Sequence, residues 1–143
     1  MRVLDANLLI YAYSSAAPQH HAARAWLEGE LASGQPVGIP WPSLLAFLRI
    51  VTHPKLHDHP ATLRAAWEQI EEWLSLDNVW VPLPTERHAT ILATLVEQLA
   101  SPKLVPDAHL AAIAIEHGLE LCSSDGDFAK FPGLRWSNPL ASR

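Results

Sequence analysis

One cysteine, Cys122, is too few for an internal disulfide, so nothing covalent staples this chain. It lies in an apolar stretch, where a cysteine behaves as a small buried hydrophobe, and a reducing compartment fits. Long apolar runs are missing too. No stretch approaches the roughly 18 uninterrupted apolar residues of a membrane span. The apolar N-terminal stretch to Ala17 is interrupted by Asp5 and Asn7, which spoils it as the core of a signal peptide, and a cytoplasmic location is expected. Basic residues are scarce: 10 Lys and Arg face 15 Asp and Glu, a formal net charge of -5. A broad basic footprint for a polyanion is therefore absent, although clustered acids can make the total negative and leave local basic patches. Acidic residues are themselves absent between Glu30 and Asp58.

What is present suits an ordinary folded protein. Hydrophobic content of 49% with 17% charged residues, over 143 residues, suits a single domain spanning 1–143 with a sizeable core. Periodicity predicts a strand over 2–4, a helix over 5–13, and a second helix opened by Pro18 and stopping near Gly34. A short strand at 37–39 precedes a helix over 43–51. After Pro60, the spacing of Leu63, Trp67, Ile70 and Leu74 defines an amphipathic helix. A strand over 79–81 and a helix over 85–99 follow. The segment 106–117 is apolar on nearly every face and predicts a buried helix capped by Gly118. A strand over 119–122, a helical turn over 127–130 and a last edge strand over 134–136 complete the chain. Strands alternating with helices argue for an α/β fold with a parallel sheet.

Three aspartates sit where an apolar run gives way to a turn or helix: Asp5 after Val3-Leu4, Asp107 at the head of a buried helix, and Asp125 after Leu121-Cys122. Taken singly, each is as readily an N-cap accepting backbone N–H groups. In a parallel sheet, however, strand ends gather at one edge, and carboxylates from distant segments converge there. Oxygen ligands of this kind suit hard Mg²⁺ or Mn²⁺. Asp127 adds a further charge two residues from Asp125, and like charges crowded together call for a divalent counter-ion.

The segments Leu4-Asp5-Ala6-Asn7-Leu8-Leu9-Ile10-Tyr11, Pro106-Asp107-Ala108-His109-Leu110-Ala111 and Ser123-Ser124-Asp125-Gly126-Asp127-Phe128 resemble, in order and spacing, the successive motifs of the PIN domain. More closely, the chain resembles the VapC toxins of bacterial toxin–antitoxin pairs over essentially its whole length. The resemblance implies a three-layer α/β/α fold with a mainly parallel central sheet. It also implies a Mg²⁺-dependent endoribonuclease, with Mn²⁺ as a possible substitute, in which ion-activated water attacks the RNA phosphodiester. Asp5, Asp107 and Asp125 would be the metal ligands and, with Asp127 as an auxiliary carboxylate, the catalytic acids. Asn7 and Ser123 would orient a ligand carboxylate or a water. A homodimer, a VapB-like antitoxin that silences it, an RNA substrate and no membrane complete what is implied.

One departure stands out. The family carries a glutamate on the helix after the second strand, where this chain reads Ala46-Phe47-Leu48. Ser43, acting through water, is a candidate substitute, and Phe47 is expected to be a packing residue. His53, His57 and His59 cluster in a proline-bounded segment that reads as a solvated loop rather than a zinc site. Arg49, Thr52 and Lys55 beside it are candidate phosphate contacts. His109 is expected to be packed or hydrogen-bonded rather than a base. The six tryptophans are read as core or dimer-interface residues, Trp41 in the turn before a helix, rather than as base-stacking platforms. A non-catalytic PIN-like binding protein and an aspartate-dependent phosphohydrolase are the competing functions; the latter normally places a second aspartate where this chain has Asn7.

Overall fold

Strand β1 (Arg2–Leu4) lies at the centre of a five-stranded sheet, flanked by β2 (Val37–Gly38) and β4 (Glu120–Cys122), with β3 (Val79–Trp80) and β5 (Trp136–Ser137) at the edges. All four pairings are parallel. The computed structural model describes residues 1–141; residues 142–143 of the expected domain lie outside them. Pleating sends alternate side chains to opposite faces. Leu4 and Cys122 join one hydrophobic cluster, whereas Val3 and Leu121 join the other.

Helices α1 (Ala6–Tyr13), α2 (His20–Ala32), α3 (Trp41–Val51) and α4 (Leu63–Leu74) cover the first face, contributing Leu8, Leu9, Leu27, Leu44, Phe47, Ile70 and Trp73. Helices α5 (His88–Val96) and α6 (Val105–His117) cover the second, where α6 supplies Ala108, Ala111, Ala112 and Ala114. Small side chains let α6 lie close to the sheet. The result is the three-layer α/β/α arrangement expected, its sheet wholly parallel. Two glycines are dictated by geometry. Gly118 ends α6 at φ 66, the left-handed conformation glycine adopts without a Cβ penalty. A Cβ on Gly38 would meet Pro82 Cγ at 3.0 Å and the Arg2 carbonyl at 3.3 Å.

Several boundaries differ from the sequence reading. The last strand forms at Trp136–Ser137 rather than over 134–136, because Gly133 turns at φ 80 and the Leu134 N–H bonds back to the Phe131 carbonyl. The helix expected over 85–99 is trimmed to His88–Val96. Thr85 makes a turn, its hydroxyl accepting from the Arg87 N–H and its carbonyl from the His88 N–H, and residues 98–99 bond back three residues rather than four. The second helix starts at His20, two residues beyond Pro18. Trp41 belongs to the first turn of α3, with Pro42 accommodated where a missing N–H costs nothing. Among the described residues no helix is long and apolar enough to cross a membrane.

Candidate active site at the carboxyl edge

Because every strand runs the same way, β1 and β4 deliver their C-terminal residues side by side. The register Leu4↔Cys122 puts Asp5 beside Ser123, and the Asp5 N–H extends the ladder to the Cys122 carbonyl at 3.0 Å. Asp5 caps α1, accepting from the Ala6 N–H at 2.7 Å through Oδ1. Its other oxygen accepts from the Ser123 hydroxyl at 2.7 Å. Ser123, fully buried, also accepts from Asn7 Nδ2 and from the Asp125 N–H, each at 3.0 Å. One donated and two accepted bonds use the whole capacity of that hydroxyl. A single buried serine thus ties Asp5 and Asn7 near the N-terminus to Asp125, some 120 residues later. Asn7 and Ser123 do orient a carboxylate here, Ser123 directly and Asn7 through it.

Asp125 accepts from the Asp127 N–H at 2.9 Å and so starts the 3₁₀ turn Gly126–Lys130. Asp127 points more to solvent, 3.6 Å from Lys130. Asp107 comes from the opposite layer, in the first turn of α6. Its carboxyl is raised from 3.8 to about 6, first by burial and then by the charges of Asp5, Asp125 and Asp127, all acting in the same direction. Asp5 is raised too, chiefly by burial and also by Asp125, with the bonds from Ser123 and Ala6 opposing. Asp107 therefore lies within electrostatic reach of the other three sequence-predicted acids, and Asp5 of Asp125, and a shared cation would relieve Asp107 and Asp5. Among the described residues, no group of three or more His, Cys, Asp or Glu side chains is drawn together as a ready ligand set. An all-oxygen set of separated carboxylates still fits Mg²⁺, which keeps several waters and takes only one or two carboxylates directly. It does not fit a cage stripped of water.

The missing glutamate is not replaced locally. Phe47 is fully buried, packed edge-on against Tyr13 and Trp73 at ring-centroid distances of 5.2 and 4.9 Å. Ser43 is corrected as a substitute: its hydroxyl is buried and donates to the Leu4 carbonyl at 2.7 Å, fixing α3 to β1 rather than holding water. Thr52 bonds back to the Leu48 carbonyl at the end of α3, while Arg49 and Lys55 are exposed. His53 accepts from the Lys55 N–H, and His57 and His59 line a cavity of about 570 Å³. His109 turns away from the carboxylates. With His88 Nδ1 donating to Glu116 at 2.6 Å, His88 Nε2 accepts from His109 Nδ1 at 3.0 Å. Burial, the largest influence on Glu116, pushes its pKa up, but bonds from the Thr85 N–H and His88 outweigh it and hold it below its ordinary value. This clasp of α5 to α6 escaped the sequence reading, because its members stand 21 and 28 residues apart in no recurring pattern.

The family described as PIN domain matches residues 2–134. Ribonuclease VapC37 of Mycobacterium tuberculosis is 40% identical over 142 residues, covering 99% of each chain. Ribonuclease VapC33 of the same species is 38% identical over 141 residues, covering 98% of this chain and 99% of the relative. Among solved structures, VapBC2 from Rickettsia felis bound to a DNA fragment from its promoter superposes with a TM-score of 0.70 at 17% identity, covering 96% of this chain and 97% of the other. Mycobacterium tuberculosis VapC20, a toxin that cleaves the sarcin-ricin loop, gives 0.68 at 19% identity, covering 94% and 99%. At those identities the structural likeness speaks for the fold.

Proposed function

Since the chain belongs to the PIN domain family, and within it to the VapC ribonucleases, we propose that its carboxyl edge hydrolyses RNA phosphodiester bonds with a divalent cation, Mg²⁺ or in its place Mn²⁺. It is an endoribonuclease toxin of a toxin–antitoxin pair, acting on RNA and restrained by a cognate VapB-like antitoxin. It works as a homodimer in the cytoplasm.

The observation that carries the reading is the Asp107 carboxyl, raised to about 6 by burial beside three other carboxylates. A crowd of acids that resists ionisation by itself is a place prepared for positive charge. Asp5, Asp107 and Asp125 would hold the ion, directly or through the waters it keeps, with Asp127 supporting from the solvent side. Once bound, the ion lowers the pKa of water to give a nucleophile and neutralises charge on the phosphodiester and the leaving oxygen. The protein does the positioning. Ser123 donates to one oxygen of Asp5 and the Ala6 N–H to the other, while the Asp125 N–H and Asn7 pin Ser123. Asp125 is held by the 3₁₀ turn it initiates.

Incubating purified protein with a structured RNA, with Mg²⁺ or with chelator, tests this reading. Cleavage in Mg²⁺ that disappears with chelator and in Asp107→Asn is expected. Intact RNA bound by the folded wild-type protein in Mg²⁺ would instead identify a non-catalytic binding module.

A further inference from the structure

Trp41 and Trp67 are unlike the other tryptophans. Trp73 is buried, and Trp26, Trp80 and Trp136 pack against the two hydrophobic clusters. Trp41 and Trp67 belong to neither cluster and are 37% and 40% exposed. Their rings lie nearly parallel, 12° apart with centroids at 6.4 Å, joining the start of α3 to the second turn of α4. Each leaves more than a third of its surface open to solvent.

Their place in the sheet is the second observation. The register Val3↔Gly38, carried two residues on, sets Asp5 beside Pro40, directly before Trp41. Neighbouring strands lie about 5 Å apart. The Ser43 hydroxyl holds this first turn of α3 to the Leu4 carbonyl, one residue before Asp5. The backbone that carries Trp41 therefore starts beside Asp5, on the β2 side, and ring stacking joins Trp67 to it. Arg49, two turns along α3 from Trp41, is exposed, whereas Arg64, on the turn of α4 before Trp67, is exposed but pairs with Glu68 at 3.5 Å.

We propose that Trp41 and Trp67 form a stacking platform for a base of the RNA substrate near the bond being cut, with Arg49 following the phosphates. The proposal rests on the ribonuclease reading and adds to it the element that grips a single-stranded segment. Aromatic faces accept any base, and adjacent cations track the backbone. The exposed Leu45 and Leu63 extend the surface in a way that would also suit a protein partner. The start of α3 beside Asp5 and the exposed Arg49 favour RNA.

Binding of a short oligoadenylate, and of an abasic ribose-phosphate oligomer of equal length, to the full chain in chelator separates stacking from charge without any need for cleavage. Wild-type protein should prefer the oligoadenylate, and Trp41→Ala or Trp67→Ala should weaken that binding about tenfold while leaving the abasic oligomer unaffected. Trp41→Phe should retain most of the affinity. If Trp41→Ala fails to fold, quenching of wild-type indole fluorescence by oligoadenylate, lost in the Trp41→Phe/Trp67→Phe double variant, carries the test. Absence of quenching overturns the proposal. Equal oligoadenylate binding by wild type and folded Trp41→Ala overturns it too, and dimer or antitoxin loss with RNA binding intact assigns the surface to a protein. Base-dependent binding by a wild-type protein that never cleaves RNA in Mg²⁺ would sink the ribonuclease reading and leave the platform standing. Cleavage without base-dependent binding would do the reverse.

Discussion

The two ends of the sheet treat carboxylates in opposite ways. At the amino edge, Arg2 reaches Glu30 at 2.6 Å and Glu120 at 3.3 Å, and Glu120 also accepts from the Ser137 hydroxyl at 2.8 Å. Burial pushes Glu120 up most strongly among its influences, but Ser137 and Arg2 together bring it below its ordinary value. At the carboxyl edge Asp107 meets only burial and other acids, and it rises to about 6. Arg2 serves the structural acids at the amino edge, whereas at the carboxyl edge Lys130 reaches only the outer Asp127 and, among the described residues, leaves Asp107 without a cation. An acid satisfied by the fold contributes to the fold, whereas one left in want of positive charge is available for chemistry.

The largest test of this contrast is activity. Asp5→Asn, Asp107→Asn and Asp125→Asn should each lower RNA cleavage on the order of a thousandfold, the loss of several kcal/mol of ion-mediated stabilisation, with the fold intact. Asp127→Asn, on the solvent side, should cost about tenfold, as an outer partner does. Glu120→Gln should leave the rate unchanged. A purified, folded Asp5→Asn that cleaves like wild type would erase the distinction between the edges, and a larger loss at Asp127 than at Asp125 would reverse their roles.

Phe47 stands where the sequence resemblance leads one to expect a glutamate, and it tests whether that position belongs to the site. Phe47→Ala should destabilise the protein by about 3–5 kcal/mol in denaturant unfolding, since the ring is fully buried. It should not change Mg²⁺ affinity in variants that remain folded. A change in metal affinity with little loss of stability would return the position to the catalytic edge.

The edges should also titrate in opposite senses. In chelator, the folded protein binds the Asp107 proton more tightly than the unfolded chain, so that group's stabilisation is complete below about 3.8 and is lost as pH rises through about 6. Glu120 is lowered, so its contribution is present above its ordinary 4.5 and is lost as pH falls through its folded value. Urea unfolding across this range should show Asp107→Asn gaining on wild type as pH rises, and Glu120→Gln losing. Near neutral pH, Mg²⁺ at ten times its Kd should stabilise wild type by about 1.4 kcal/mol and Asp107→Asn by much less. Smallest of all, Glu120→Gln should cost about 0.5–1 kcal/mol at neutral pH, the scale of a half-exposed ion pair.

Much of this was legible in the chain itself. Apolar periodicity located the helices and the first four strands, because hydrophobic burial sets both pattern and fold. The junctions Leu4-Asp5 and Cys122-Ser123 marked residues that a parallel sheet must bring together. What stayed hidden depends on tertiary partners. No local signal says that Ser123 bonds to Asp5, that Glu116 holds His88, or that Ser43 turns inward to Leu4. The amino-edge pairing of Arg2 with Glu30 and Glu120 was equally invisible, since those residues meet only once the strands are in register. The last strand slipped because a turn at Gly133, rather than the apolarity of Leu134, decides where pairing begins.

The central claim is that Asp5, Asp107 and Asp125 together hold the ion that cleavage needs. Calorimetric titration of Mg²⁺ into the RNA-free protein, wild type beside Asp107→Asn, tests it most directly. With three inner carboxylates and no glutamate at position 47, the site should take up a single ion weakly in wild type and none measurably in the variant. Tight binding of two ions without RNA, or undiminished binding by Asp107→Asn, would contradict the account.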